Sequence, residues 1–168
     1  MISRVFIVLF VACVLAVPAA AQQKTVFLVR HAERADSSPG TSPTMAADPD
    51  LSAAGRTRAE HLAEALKDAK ITAIFATEFK RTQQTAAPLA KALGVTVKIV
   101  TSTTEASLIA DLKAAKGNVL VVGHSNTVPE VIKRLGVTTA VAIGDDDFDN
   151  LFIVSTGTRP SLVRLHYR

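Results

Sequence analysis

Two histidines and two arginines stand where this chain switches from apolar to polar. Arg30-His31 follows the run at 25–29, Arg81 closes the segment Thr77-Glu78-Phe79-Lys80-Arg81 after the run at 71–76, and Gly123-His124-Ser125-Asn126 follows the run at 119–122. An imidazole is the side chain best suited to act as nucleophile or proton carrier near neutral pH. A guanidinium offers phosphate oxygens two parallel, charge-assisted hydrogen bonds. Brought together, these groups would make a dense cluster of donors suited to a phosphoryl group. A neutral His31 would present one bare ring nitrogen, and nearby Arg30 and Arg81 favour that form by opposing a third positive charge. Its other ring nitrogen is expected to donate to a backbone carbonyl, which sets the tautomer.

The elements that would position these groups can be read from the hydrophobic pattern. Residues 25–29 (TVFLV) form a short β-branched run of the kind buried on both faces of a sheet. Further strands are predicted at 71–76, 95–100 and 119–122. Helices are predicted from the Ser52 cap to about 69, and over 80–93, 105–115 and 127–135. Strands alternating with helices predict an α/β fold, a mainly parallel central sheet flanked by helices. In such sheets ligands bind beyond the carboxyl ends of the strands, where the three polar segments would converge. The runs 150–155 and 161–167, separated by a turn-rich segment, predict a hairpin or edge pair. Residues 35–50, rich in Ser, Pro, Gly and Asp, read as a long loop after the first strand, and with residues 136–149 are expected to shape the mouth of the site.

LVRHAER (28–34), ATEFKRTQQTA (76–86) and VVGHSN (121–126), with LSAAGRTRAEHLAEAL (51–66), resemble the histidine phosphatase superfamily, the phosphoglycerate-mutase-like fold. The resemblance implies a three-layer sandwich in a small single-domain member, and a reaction with no metal and no cofactor. It implies that His31 is the nucleophile, that Arg30 and Arg81 grip the phosphoryl group, and that His124 donates to the same oxygens. The leaving oxygen also needs a proton. In much of the family a carboxylate between the second and third motifs supplies it, which points to Glu105, with Asp111 later on the same helix and Glu33 and Glu78 as rivals; Glu78 could equally cap the helix carrying Arg81. The implied activity is hydrolysis of phosphomonoesters or phosphohistidine. A phosphoglycerate-mutase-type transfer is the nearest alternative, and a non-catalytic phosphate-ester-binding protein is the rival from another class.

Residues 1–21 have the layout of a secretory signal peptide: Arg4, an apolar run over 5–17, then Pro18 and three alanines. The run is shorter than the roughly 20 residues of a membrane-spanning helix. Cleavage after Ala21 is expected, leaving a single domain at 22–168 and a secreted or periplasmic location with no membrane contact thereafter; the alternative is that the leader is retained as an N-terminal anchor. The one cysteine, Cys13, lies in this leader, so neither a disulfide nor a thiolate site is expected in the domain. A formal charge of +4 without basic runs, and one Tyr with no Trp, argue against nucleic acid and for a small phosphorylated substrate. His61 and His166 read as surface or structural residues, Ser125 and Asn126 as caps of the following helix, Gly55 and Gly94 as backbone punctuation. Asp145-Asp146-Asp147 with Asp149 reads as a solvated turn, lacking the spacing of a calcium loop. The oligomeric state leaves no mark on the sequence.

Overall fold

The computed structural model describes residues 23–36, 48–101 and 105–168, apart from the side chain of Glu105. The predicted leader at 1–21 and the loop residues 37–47 lie outside the described residues. The apolar runs become strands β1 (Thr25–Arg30), β2 (Ile71–Thr77), β3 (Val97–Val100) and β4 (Asn118–Gly123), parallel in the order β3-β2-β4-β1. Strands β5 (Asn150–Ser155) and β6 (Ser161–His166) extend the sheet antiparallel beyond β1. The expected mainly parallel sheet is therefore present, and the expected hairpin is its antiparallel margin.

Helices α1 (Ala53–Leu66) and α2 (Lys80–Leu93) cover one face, where Leu62, Leu66 and Leu89 pack on Phe27, Val29, Ile74 and Leu120. Helices α3 (Glu105–Ala114) and α4 (Thr127–Arg134) cover the other, where Leu112, Val128 and Ile132 pack on Val26, Leu28, Phe75 and Val121. Alternate residues of β1 thus enter two different cores, which is why its sequence is continuously apolar rather than alternating. Each such side chain taken out of water contributes about 1.5–3 kcal/mol. The result is the three-layer α/β sandwich.

Local chemistry explains where the elements begin and end. The Ser52 hydroxyl accepts the Gly55 N–H at 3.0 Å and starts α1. That helix stops three residues earlier than its periodicity predicts, because the chain turns through Lys70 at φ 54° to enter β2. Gly94, at φ 64°, ends α2, and the Val95 N–H then bonds back to the Ala90 carbonyl, so β3 starts at Val97 rather than 95. Ser125 and Asn126 do not cap α4: Asn126 occupies the cap position without a side-chain bond, and the Thr127 hydroxyl instead accepts the His124 N–H at 2.9 Å. Gly55 is more than punctuation. A Cβ there would lie 2.2 Å from the Glu33 carbonyl oxygen, so only glycine lets α1 approach the chain leaving β1.

Candidate active site

Three strand ends lie level: Arg30 pairs with Gly123 across β1 and β4, and Ala76 with Val122 across β2 and β4. The polar segments after them therefore open on the same edge of the sheet. His31, the residue after β1, is 4% exposed. Its own N–H donates to the Gly123 carbonyl at 2.9 Å, and its Nδ1 lies 2.7 Å from the Ala32 carbonyl oxygen. A carbonyl only accepts, so Nδ1 carries the hydrogen and Nε2 is left with a free lone pair. Ala32 is fixed in turn, its N–H donating to Thr85 Oγ1 at 3.0 Å, while the Thr85 hydroxyl donates to the Arg81 carbonyl at 2.7 Å. Burial pushes the His31 imidazole down to about 3; the Ala32 bond opposes this, and His124, Arg30 and Arg81 add to it.

His124 follows β4, its ring edge-on to that of His31 with centroids 5.4 Å apart, and edge-on to Phe79 at 5.3 Å. Its Nε2 lies 3.0 Å from the hydroxyl oxygen of Thr77 at the end of β2. Burial, then Arg81, Arg30 and Arg34, push this ring down to about 4, with Glu78 acting in the opposite sense.

Each arginine is braced by an aromatic ring. The Arg30 guanidinium sits 4.3 Å over Phe148, and its Nη1 donates to the Gly144 and Asp145 carbonyls, both at 2.7 Å. Arg81, in the first turn of α2, sits 4.2 Å over Phe79 and 3.7 Å from the Asp48 carboxylate. In both, the buried Nε–H has no partner among the described residues. Paired orphan donors on two cations beside two neutral imidazoles suit an anion with several acceptor oxygens. Burial lowers the pKa of both guanidiniums.

Four of the five predicted site residues, Arg30, His31, Arg81 and His124, thus come together. Glu105 opens α3, and its side chain lies outside the described residues. Of its rivals, Glu33 is committed elsewhere: Arg58 grips its carboxylate through Nε at 2.8 and 2.9 Å and Nη2 at 2.6 Å. Glu78 does not cap α2. Phe79 holds that position without a side-chain bond, and the Lys80 N–H donates to Asp48 at 3.0 and 3.1 Å. Asp111 is exposed on α3 and His61 on α1, while the exposed His166 lies 3.0 Å from Asp149. The Asp145–147 segment is a turn, in which the Asp147 carboxylate accepts the Gly144 N–H at 2.9 Å. Among the described residues no group of three or more His, Cys, Asp or Glu could hold a metal ion, and no helix is long and apolar enough to cross a membrane.

The sequence reading did not single out Thr77, Thr82, Thr85, Phe79 or Phe148, nor the Gly144 and Asp145 carbonyls. The three threonines and Phe79 all lie in the second motif, and their closeness to Arg81 in sequence was the one available signal. Phe148 and the carbonyls reach the site through a loop more than a hundred residues from Arg30, which spacing does not reveal.

Fold and site together define an α/β chain with a two-histidine, two-arginine cluster at the carboxyl edge of a mainly parallel sheet. Residues 26–108 match the profile of the histidine phosphatase superfamily (branch 1), and this segment, which carries Arg30, His31 and Arg81, belongs to that superfamily. His124 lies beyond the matched span and is joined to it by geometry. A search of curated proteins finds no match. Among solved structures, mycobacterial glucosyl-3-phosphoglycerate phosphatase in complex with VO3 is similar over 86% of this chain and 100% of its own, at 17% identity and a TM-score of 0.68. SixA of Agrobacterium tumefaciens, assigned as a phosphohistidine phosphatase, is similar over 84% and 97%, at 22% identity and a TM-score of 0.61. An Escherichia coli protein assigned as an α-ribazole-5′-phosphate phosphatase is similar over 85% and 96%, at 17% identity and a TM-score of 0.66. At these identities the likeness is one of fold.

Proposed function

We propose that this chain is an exported phosphatase that hydrolyses phosphomonoesters, or phosphohistidine, through a covalent phosphohistidine on His31. The observation that carries the reading is the state of His31: a buried ring whose Nδ1–H is taken by the Ala32 carbonyl, leaving Nε2 unprotonated, with the charges of Arg30 and Arg81 near enough to oppose its protonation. In the first half-reaction Nε2 attacks phosphorus and the bond from phosphorus to the leaving oxygen breaks. In the second, water attacks, the phosphorus–nitrogen bond breaks, its electron pair returns to Nε2, and inorganic phosphate departs. The loose transition state needs positioning and charge stabilisation, which Arg30 and Arg81 supply at the non-bridging oxygens, with His124 beside them. The three neighbours carry phosphatase assignments, which favours hydrolysis over a mutase-type transfer. The charged, apolar and small-residue layout of residues 1–21 supports export.

For the proton on the leaving oxygen, the resemblance offers Glu105. A second source emerges from the hydrogen bonds around His124.

The test is incubation of the purified chain with p-nitrophenyl phosphate, followed by a denaturing alkaline quench and a search for phosphate on His31. Turnover with an acid-labile, base-stable phosphate is expected, and His31→Ala should lower the rate by about 10⁴-fold or more. Ligand binding with no product release from the wild-type chain would make it a phosphate-ester-binding protein instead.

A further inference from the structure

Behind His124 lies a closed set of contacts that counts its own protons. Thr82, fully buried, places Oγ1 2.7 Å from the Phe79 carbonyl and 3.0 Å from the Thr77 carbonyl. It also lies 2.9 Å from Thr77 Oγ1, which in turn lies 3.0 Å from His124 Nε2. Carbonyl oxygens only accept, so the single Thr82 hydroxyl proton must point at them; otherwise two oxygens would face each other at 2.7 Å with nothing between. Thr82 Oγ1 can then only accept from Thr77, which uses the single Thr77 proton. The last contact, to His124, is left without a hydroxyl proton. All the contacts are satisfied only when the imidazole brings the proton itself, as Nε2–H.

We propose that Thr77 and Thr82 are positioning residues that lock a proton on His124 Nε2, so that the proton gained when substrate binds sits on Nδ1, and that this Nδ1–H is the acid for the leaving group. The inference rests on the phosphatase reading and deepens it. Nδ1 has no partner among the described residues, and the ring packs edge-on against His31, within reach of a phosphoryl group on that ring. Arg81, Arg30 and Arg34, from α2, β1 and the chain after β1, disfavour the charged ring, and Glu78 favours it. In the empty site the ring is therefore neutral. A phosphate dianion entering between the arginines adds the opposing charge, and a proton from solvent binds Nδ1. When His31 Nε2 attacks, the phosphorus–oxygen bond breaks, the electron pair leaves on that oxygen, and Nδ1–H protonates it, returning His124 to the neutral Nε2–H form. When water attacks the phosphohistidine, its proton passes to Nδ1, the phosphorus–nitrogen pair returns to His31, and phosphate leaves. Each half-cycle restores the other.

The experiment has two arms on the full chain. In the first, ¹⁵N-histidine labelling and long-range ¹H–¹⁵N correlation report the tautomer of each ring, the His124 signals being assigned by their loss in His124→Asn. Expected are the Nε2–H tautomer for His124 without ligand at pH 7 and protonation of both nitrogens with saturating vanadate. In the second arm, kcat is compared for p-nitrophenyl phosphate and an alkyl phosphate. Thr77→Val should slow the alkyl ester about 10- to 100-fold and the aryl ester less than about threefold, the mark of a weakened acid, and Thr77→Ser should restore both. Thr82→Val, should Thr77→Val fail to fold, is expected to show the same asymmetry. A resting His124 with hydrogen on Nδ1 overturns the inference while ester hydrolysis stands, as does equal slowing of both esters. Hydrolysis of neither ester by the wild-type chain defeats the phosphatase reading, whereas the tautomer measurement needs no turnover.

Discussion

The two imidazoles face each other across 5.4 Å but are held by different means. His31 is held by main chain: its N–H on Gly123, its Nδ1–H on Ala32, and Ala32 pinned by Thr85. His124 is held by side chains, its ring by Thr77 backed by Thr82 and its N–H by Thr127. A ring tied to peptide groups keeps one tautomer whatever nearby side chains become. A ring tied to hydroxyls keeps its tautomer only while those hydroxyls remain. The first arrangement suits a nucleophile that must always be bare at one nitrogen, and the second suits a group that gains and loses a proton each cycle.

Three changes break or sharpen this comparison. The largest effect is expected at the arginines that serve both rings. Arg30→Lys and Arg81→Lys keep the charge but lose the fork, and each should lower kcat/KM by about 10²–10³-fold, measured on p-nitrophenyl phosphate with folding checked by circular dichroism. A loss below about fivefold would mean that charge alone suffices. Next comes the scaffold of the main-chain-held ring. Thr85→Val leaves the buried Ala32 N–H without an acceptor, and Gly55→Ala drives a methyl into the Glu33 carbonyl. Each should cost about 1–3 kcal/mol in urea unfolding, and Thr85→Val should also reduce turnover because Ala32 orients Nδ1–H. The smallest effect is in acid. Both rings have folded values, about 3 and about 4, below the ordinary 6.5, so between those limits the unfolded chain binds more protons and stability falls as pH drops. The ligand-free chain should lose roughly 1 kcal/mol per ring on going from pH 7.5 to 5.5, and His124→Gln should remove about half of that slope.

The sheet and the meeting of the four groups were legible because β-branched runs such as 25–29 carry their burial in their composition, and because strand polarity sends every polar end of a parallel sheet to one edge. The bracing of that site was not. Phe148 under Arg30, Arg58 on Glu33 and Asp48 on the first turn of α2 join positions 118, 25 and 32 residues apart, and no local propensity encodes such pairings. The cap of α4 failed for a smaller reason. Ser125, Asn126 and Thr127 all have the right chemistry, and the choice among them depends on a turn angle set by β4 and the His124 peptide. Glu33 and Glu78, equal rivals in sequence, separate only once Arg58 is seen to hold one of them.

Strand β1 is an interior strand because the C-terminal hairpin lies against its outer flank, with β4 on the other side. His31 directly follows β1, and the segment that walls in this strand is made more than a hundred residues later. During synthesis, Arg30, His31, Arg81 and His124 all exist before the strand preceding His31 has both neighbours, and an open strand flank invites mispairing. A nascent chain halted before residue 150 would thus hold every reactive group with its sheet unfinished, and the completed sheet waits on residues 150–166.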